Sequence, residues 1–239
     1  MSDGILYAVA GLTAFLVGSI PASLLLAKRV GGIDLRKAGS GNVGATNVTR
    51  LLGWRWGITA LLMDAAKGLL PVLLLPKLFG LPPGAESLHL RVLCGLLAIV
   101  GHMCPPWLEF RGGKGVATAL GVVSVLAPQA TLAAFLGFAC MFAITRIVSL
   151  SSLTAAVTFA VAQLTWFGGD LWSAETWSLG AFSVAVPLVI VIKHRSNVGR
   201  LMRGEEKPLR FGRQRNTQAE PSGSSPPERD EAPAATSQD

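Results

Sequence analysis

The chain has 239 residues, of which 51% are hydrophobic and only 15% are charged. A soluble domain carries about 25% charged residues, so this composition argues against a water-soluble protein and favours one whose main solvent is lipid. The net charge of +7 does not indicate nucleic-acid binding, because the basic residues lie between apolar stretches. Anionic lipid headgroups and phosphates are the partners expected at such positions.

Seven apolar segments follow one another along the chain, and each predicts a membrane helix. They cover residues 5–27, 57–79, 91–105, 116–127, 129–145, 150–167 and 177–192. The third and fourth are short for a full crossing, which needs about 20 residues. Pro128, between the fourth and fifth, predicts either one kinked helix or a hairpin of two helices.

The charged residues of the loops predict the orientation. The first loop and the region after the last segment are dense in Lys and Arg, whereas loops 80–90 and 168–176 contain acidic residues and no basic ones. Basic loops stay inside, and a hairpin at Pro128 supplies the odd number of crossings that this pattern needs. We therefore expect an all-α bundle of seven membrane helices in the cell inner membrane, with the N-terminus outside and the C-terminus cytoplasmic.

Composition also predicts the domain organisation. Residues 1–212 are expected to form one integral-membrane domain. Residues 213–239 are rich in Pro, Ser, Glu, Ala and Thr, which cannot bury enough surface to offset their ordering entropy. That tail is predicted to be disordered. The three cysteines lack metal-ligand spacing, so no metal site is predicted.

The first basic loop, residues 36–50, has the composition of an anion site. Its glycines allow the backbone to approach a ligand closely. Ser40 and Asn42 are neutral donors, and Arg50 is a planar donor suited to phosphate. The competing interpretation is a flexible polar loop whose arginines only set the topology.

A second such segment, residues 101–115, begins with Gly101 and His102 and leads directly into an apolar helix. Gly112, Gly113, Lys114 and Gly115 precede that helix. A helix N-terminus favours an anion through its free N–H groups and its dipole. The segment is not a P-loop, because the residues around the Gly-Lys pair do not match that motif.

The third segment, residues 193–206, follows the last apolar stretch. His194 and Asn197 lie three positions apart and share a face if the helix continues. The alternative is a basic anchor for lipid headgroups. Asp64 and Lys67, inside the second apolar segment, either form a structural ion pair or lie at the rim of a phosphate pocket.

Taken together, the three segments resemble the signature motifs of one family. Residues 39–47 with Arg50, 102–115 and 194–206 are similar to the bacterial membrane glycerol-3-phosphate acyltransferases that use acyl-phosphate as donor. Residues 18–21 and 64–68 also resemble that pattern, whereas Val198 and Gly199 depart from it. The resemblance implies seven membrane helices and no metal, CoA or other cofactor. It further implies functional coupling to the enzyme that produces the acyl-phosphate.

The resemblance also implies roles for individual residues. Ser40 and Arg50 would bind substrate phosphate, His194 and Asn197 would complete the pocket, and Glu206 would hold the third segment in shape. The full predicted site consists of the catalytic residues His194, Lys114 and Arg50, the substrate-binding residues Ser40, Asn42, Arg50, His102, Gly112, Gly113, Lys114, Gly115 and Asn197, and the structural residues Glu206, Asp64 and Lys67.

The expected reaction joins glycerol 3-phosphate to an acyl group at the cytoplasmic face and releases inorganic phosphate. Two phosphates at one site require several cations, and Arg36, Arg50, Lys114 and Arg200 are available. An acyl phosphate is already activated, so orientation and charge stabilisation are the main demands. Either His194 or a substrate phosphate accepts the proton. The competing classes are a small anion transporter and a structural membrane scaffold.

Overall fold

The computed structural model describes residues 2–209, and these residues form α-helices joined by loops and two short 3₁₀ turns. The helices are α1 (Asp3–Ser19), α2 (Ala22–Gly31), α3 (Ala45–Leu52), α4 (Trp54–Leu78), α5 (Ala85–Met103), α6 (Val116–Leu126), α7 (Pro128–Thr145), α8 (Val148–Phe167), α9 (Trp177–Lys193) and α10 (Arg195–Met202). The helical architecture predicted from the sequence is confirmed. The predicted tail 213–239, and residues 210–212 of the predicted domain, lie outside the described residues.

Membrane-spanning length is reached by five stretches within residues 2–209. These are Asp3–Gly31, Trp54–Leu78, Ala85–Leu108, Pro128–Thr145 and Val148–Trp172. The pair α9 and α10 bends by 59° and qualifies if it forms one span, while α6 is apolar but has only 11 residues. All seven predicted segments are thus helical. The number of crossings and the orientation of the termini stay predictions.

The outer surface of the bundle suits lipid. Large apolar side chains such as Leu12, Leu62, Leu132 and Leu188 are more than half exposed. In water such a surface would be an aggregation hazard, whereas beside acyl chains it is the expected one. The buried polar groups face the interior instead, where helices can satisfy them.

Glycines allow the helices that carry the site to pack closely. A Cβ on Gly68 of α4 would lie 2.2 Å from the carbonyl oxygen of Thr118, and one on Gly121 of α6 would lie 1.9 Å from that of Ala65. Only glycine permits this approach, as is common between membrane helices. The contact places the start of α6, with the loop before it, beside the middle of α4.

The chain reverses between α6 and α7. A single straight helix would separate Val116 from Phe138 by about 33 Å, yet the two side chains line the same cavities. Pro128 begins α7 after a break at Ala127. Of the two arrangements predicted at this proline, the structure therefore forms the hairpin.

Candidate active site

A polar cavity of about 230 Å³ lies where the three predicted segments meet. Its walls come from the loop before α3, the loop before α6, and the region around α10. The predicted site residues that line it are Ser40, Asn42, Arg50, Asp64, His102, Lys114, Gly115, His194, Asn197 and Glu206. Of the four predicted cations, Arg50, Lys114 and Arg200 line the cavity.

The first wall is shaped by Asn47, whose side chain is almost fully buried. Its Oδ1 accepts from the Ser40 amide at 2.9 Å, and its Nδ2 donates to the carbonyls of Leu35, Ala38 and Asn42 at 2.9–3.2 Å. One amide side chain therefore holds four backbone groups of the loop. Its own donors are used within the loop and do not bind a ligand.

Gly39 is required by this arrangement. Its φ is +62°, in the left-handed region that glycine adopts most easily. A Cβ there would also lie 2.2 Å from Oδ1 of Asn47. The loop therefore needs glycine for both backbone conformation and space.

The second wall corrects part of the prediction for Gly112 and Gly113. Their N–H groups donate to the carbonyls of Met103 and His102, each at 3.1 Å, and neither residue lines the cavity. Those N–H groups are therefore not free to bind phosphate, because carbonyls at the C-terminal end of α5 already accept hydrogen bonds from them. Their role is to seat the loop against α5, so that Lys114 reaches the cavity.

Lys114 is the cation between the second and third walls. Its Nζ donates to Oδ1 of Asn197. Burial lowers the pKa of Lys114, Glu206 partly offsets this effect, Arg200 and Arg50 add to it, and the resulting value is about 8. The side chain therefore changes charge close to physiological pH.

The third wall is organised by the carboxylate of Glu206. Its Oε1 accepts from Ser149 at 2.7 Å and from Asn197 at 2.6 Å, and its Oε2 accepts from Arg200 at 2.6 Å. Burial raises the pKa of Glu206, but the hydrogen bonds from Ser149, Arg200 and Asn197 outweigh burial and the net shift is downward. Ionised Glu206 thus joins α8 to α10.

His194 lies at the bend between α9 and α10 and is 2% exposed. Its Nδ1 is 2.8 Å from the carbonyl oxygen of Ile190. A carbonyl can only accept, so Nδ1 carries the proton and Nε2 of the neutral ring is left with a lone pair. The imidazole at the cavity can therefore accept a proton through Nε2.

Asp64 and Lys67 form the buried ion pair that was one of the two predicted arrangements. Lys67 Nζ lies 3.0 Å from Asp64 Oδ1 and donates to the carbonyl of Ile20 at 2.7 Å. Asp64 accepts from Ser23 at 2.6 Å and lies 3.7 Å from Nδ1 of His102. Asp64 also lines the cavity, whereas Lys67 does not.

Arg36 does not line the cavity, and its assignment there is wrong. Its guanidinium forms a two-pronged pair with the carboxylate of Asp34, at 3.0 and 2.7 Å. The hydrogen bonds from Arg36 hold the pKa of Asp34 well below its usual range. The two residues close the loop after α2 on the exposed surface.

An apolar cavity of about 190 Å³ adjoins the polar one. The two cavities share Leu61, Val116, Ala117, Phe138 and Ser152. The hydroxyl of Ser152 donates to the Val148 carbonyl at 2.8 Å, so it is not free to bind a ligand in the apolar cavity. The polar cavity therefore opens onto a surface suited to hydrocarbon.

Several residues of the site were not predicted. Two of them carry hydroxyls: Ser149 contacts Glu206, and Ser23 contacts Asp64. The only available signal was the presence of hydroxyls at helix ends beside the basic segments. Within residues 2–209, no cluster of three His, Cys, Asp or Glu residues could hold a metal.

Two solved structures resemble this chain in fold. They are crystal structures of PlsY (YgiH), an integral membrane glycerol 3-phosphate acyltransferase, in a glycerol 3-phosphate form and a lysophosphatidic acid form. Their TM-scores are 0.74 and 0.72 at 36% and 35% identity, and they cover 86% and 87% of this chain and 96% of each solved chain. The fold and site thus define the class of integral-membrane acyltransferases.

The particular family follows from the sequence comparisons. The family model for glycerol-3-phosphate acyltransferase matches residues 8–204. A glycerol-3-phosphate acyltransferase of Anaeromyxobacter dehalogenans (strain 2CP-C) is 43% identical over 209 residues, covering 87% of this chain and 100% of the relative. One of Myxococcus xanthus (strain DK1622) is 44% identical over 196 residues, covering 82% and 96%. This chain belongs to the glycerol-3-phosphate acyltransferase family, which confirms the family predicted from the three motifs.

Proposed function

We propose that this chain transfers a fatty acyl group from acyl-phosphate to glycerol 3-phosphate. The products are 1-acyl-glycerol 3-phosphate (lysophosphatidic acid) and inorganic phosphate, and the step is the first acylation of phospholipid synthesis. The observation that carries the proposal is the shared boundary of the cationic and apolar cavities. A product with a phosphate at one end and an acyl chain at the other fits a cationic cavity that adjoins an apolar one.

The cations of the polar cavity support the proposal that both substrates carry a phosphate. Arg50, Lys114 and Arg200 line it, and Arg200 is already bonded to Glu206. Arg50 and Lys114 are therefore the principal charges for phosphate. The small cavity favours acyl-phosphate as donor over a CoA thioester, whose nucleotide would need a large additional polar surface.

The chemistry needs few protein groups. The acceptor hydroxyl attacks the carbonyl carbon of the acyl phosphate, and the bond from that carbon to the phosphate oxygen breaks. Lys114 stabilises the developing negative charge. The hydroxyl proton goes either to Nε2 of His194 or to a substrate phosphate oxygen.

The variant His194→Ala distinguishes these two proton acceptors. If His194 is the base, the variant should have a lower turnover at an unchanged Michaelis constant. An increased Michaelis constant with turnover intact would make His194 a binding residue.

The decisive experiment uses purified protein with palmitoyl-phosphate. Phosphate release should require glycerol 3-phosphate and should match the lysophosphatidic acid formed. Acyl-CoA should not replace the donor, and chelators should not inhibit. Turnover with acyl-CoA alone would overturn the donor assignment. Glycerol 3-phosphate uptake into vesicles without phosphate release would instead indicate the transporter.

The proposal includes the cell inner membrane, a site on its cytoplasmic side and supply from the acyl-phosphate-producing enzyme. Exposed Lys37 is close to the first wall, and exposed Gly169 lies in the loop predicted to be external. In a Cys140→Ser background, which removes the exposed native thiol, an impermeant thiol reagent outside the cell should label Gly169→Cys and not Lys37→Cys. The reverse pattern would overturn the orientation.

A further inference from the structure

The apolar cavity has an inner end. It begins at the residues shared with the polar cavity and extends along α6 to Val123, along α7 to Thr131, along α8 to Phe159 and along α9 to Val186. From Val116 to Val123 this depth is about 10 Å. Thr131 donates its hydroxyl to its own helix, at the Ala127 carbonyl, and so adds no free donor.

Phe159 is the largest side chain at this inner end. It is 5% exposed and belongs to the same packed cluster as Val123 and Val186. It lines the cavity with Val123 of α6 and Val186 of α9, at the deepest level that the cavity reaches along α8. An acyl chain that extends past this level meets the packed cluster to which Phe159 belongs.

A polar layer follows one helical turn deeper. Gln163 of α8 is fully buried, and its Nε2 donates to Ser183 of α9 at 3.4 Å. Its Oε1 has no hydrogen-bond partner. Hydrocarbon placed against this amide would keep its oxygen from finding a partner, which is unfavourable. The layer therefore opposes further entry of an acyl chain.

We infer that Phe159 limits the length of the acyl chain that the enzyme uses efficiently, with the Gln163–Ser183 layer as its support. The inference rests on the proposed function, because it assigns the apolar cavity to the acyl group of the donor. Chains that end at or before Phe159 are bound along their whole length. Longer chains must leave the cavity sideways and gain nothing from their added methylenes.

The test measures kcat/KM for a series of saturated acyl phosphates that differ by two methylenes. Phe159→Ala should deepen the cavity and shift the preference to longer chains, by about fourfold for each further methylene buried. Phe159→Leu, which disturbs packing less, should shift it in the same direction. Ala156→Leu, which fills the cavity wall, should favour shorter chains. Phe167→Ala is the matched control, since Phe167 is an exposed phenylalanine on the same helix.

The outcomes separate this inference from the proposed function. An unchanged chain-length profile in folded, active Phe159→Leu and Ala156→Leu would overturn the assignment of Phe159 and leave the reaction standing. A profile that Phe167→Ala changes equally would also overturn it. Absence of turnover with every acyl phosphate in the unaltered protein would overturn the proposed function, and this inference with it.

Discussion

Two walls of the polar cavity are built by opposite means. The loop before α3 is held by Asn47, a neutral and buried amide that bonds only to backbone groups. The wall around α10 is held by Glu206, a carboxylate that bonds to Ser149, Asn197 and Arg200. The first wall fixes a backbone shape that does not depend on pH. The second fixes side-chain charges, so its properties depend on protonation.

Removing the amide of Asn47, which holds the neutral wall before α3, should have the largest effect. The wall around α10, held by Glu206, is the charged wall. Asn47→Ala leaves four backbone groups of the loop without their partner, and each buried unsatisfied group costs about 1–3 kcal/mol. Ser40 and Asn42 would lose their positions, so kcat/KM for glycerol 3-phosphate should fall more than about a hundredfold. Steady-state kinetics and thermal unfolding of the detergent-purified variant measure the two consequences.

The control for this change is Thr49→Ala on the same short helix. Thr49 donates only to the carbonyl of Ala45 in its own helix, a bond of small energetic value. That variant should retain most of its activity. Near-normal kinetics in a folded Asn47→Ala protein would show that the loop does not need the amide to hold its shape.

Removing a single cation, either Arg50 beside the neutral wall or Lys114 beside the charged wall, should have the next largest effect. Arg50 belongs to the helix that follows the neutral wall, and Lys114 contacts Asn197 of the charged wall. Charge-assisted hydrogen bonds contribute about 1.5–3 kcal/mol, so Arg50→Ala or Lys114→Ala should each cost about ten- to hundredfold in kcat/KM. Arg55→Ala, which removes an exposed cation stacked over Trp54, is the control. An equal loss in all three variants would indicate a general charge effect.

The sequence was sufficient to predict which segments meet at the site. Apolar length predicted the helices, and the density of glycine, basic and hydroxyl residues predicted the three cavity segments. Lys114, Arg50, His194 and Asn197 all line one cavity as a result. These features are local in sequence, and the resemblance of the three segments to the motifs of one family is what joined them into one predicted site.

The sequence could not predict how groups pair across the fold. Arg36 is the exception, because Asp34, which neutralises it, lies only two positions away and was visible in the sequence. Gly112 and Gly113 were expected to offer free N–H groups, yet α5 supplies carbonyls for both. Whether these N–H donors stay free depends on the packing of distant helices, which the hydrophobic periodicity of the sequence does not predict.

The smallest expected effect concerns pH and the charge of Lys114. With a pKa of about 8, Lys114 is charged below that pH and loses its charge as the pH rises through it. The Michaelis constant for glycerol 3-phosphate should therefore rise severalfold above about pH 8. Lys114→Arg should abolish the rise, because arginine stays charged.

Two neighbouring variants should move the midpoint of the rise in opposite directions. Glu206→Gln removes the carboxylate that favours the charged lysine, so the midpoint should move to lower pH. Arg50→Ala removes a like charge, so the midpoint should move to higher pH. Asn47 carries no charge, so the amide that holds the first wall takes no part in this titration. An identical midpoint in the Lys114→Arg and unaltered proteins would assign the titration to another group, and the charged wall would then be no more sensitive to pH than the neutral one.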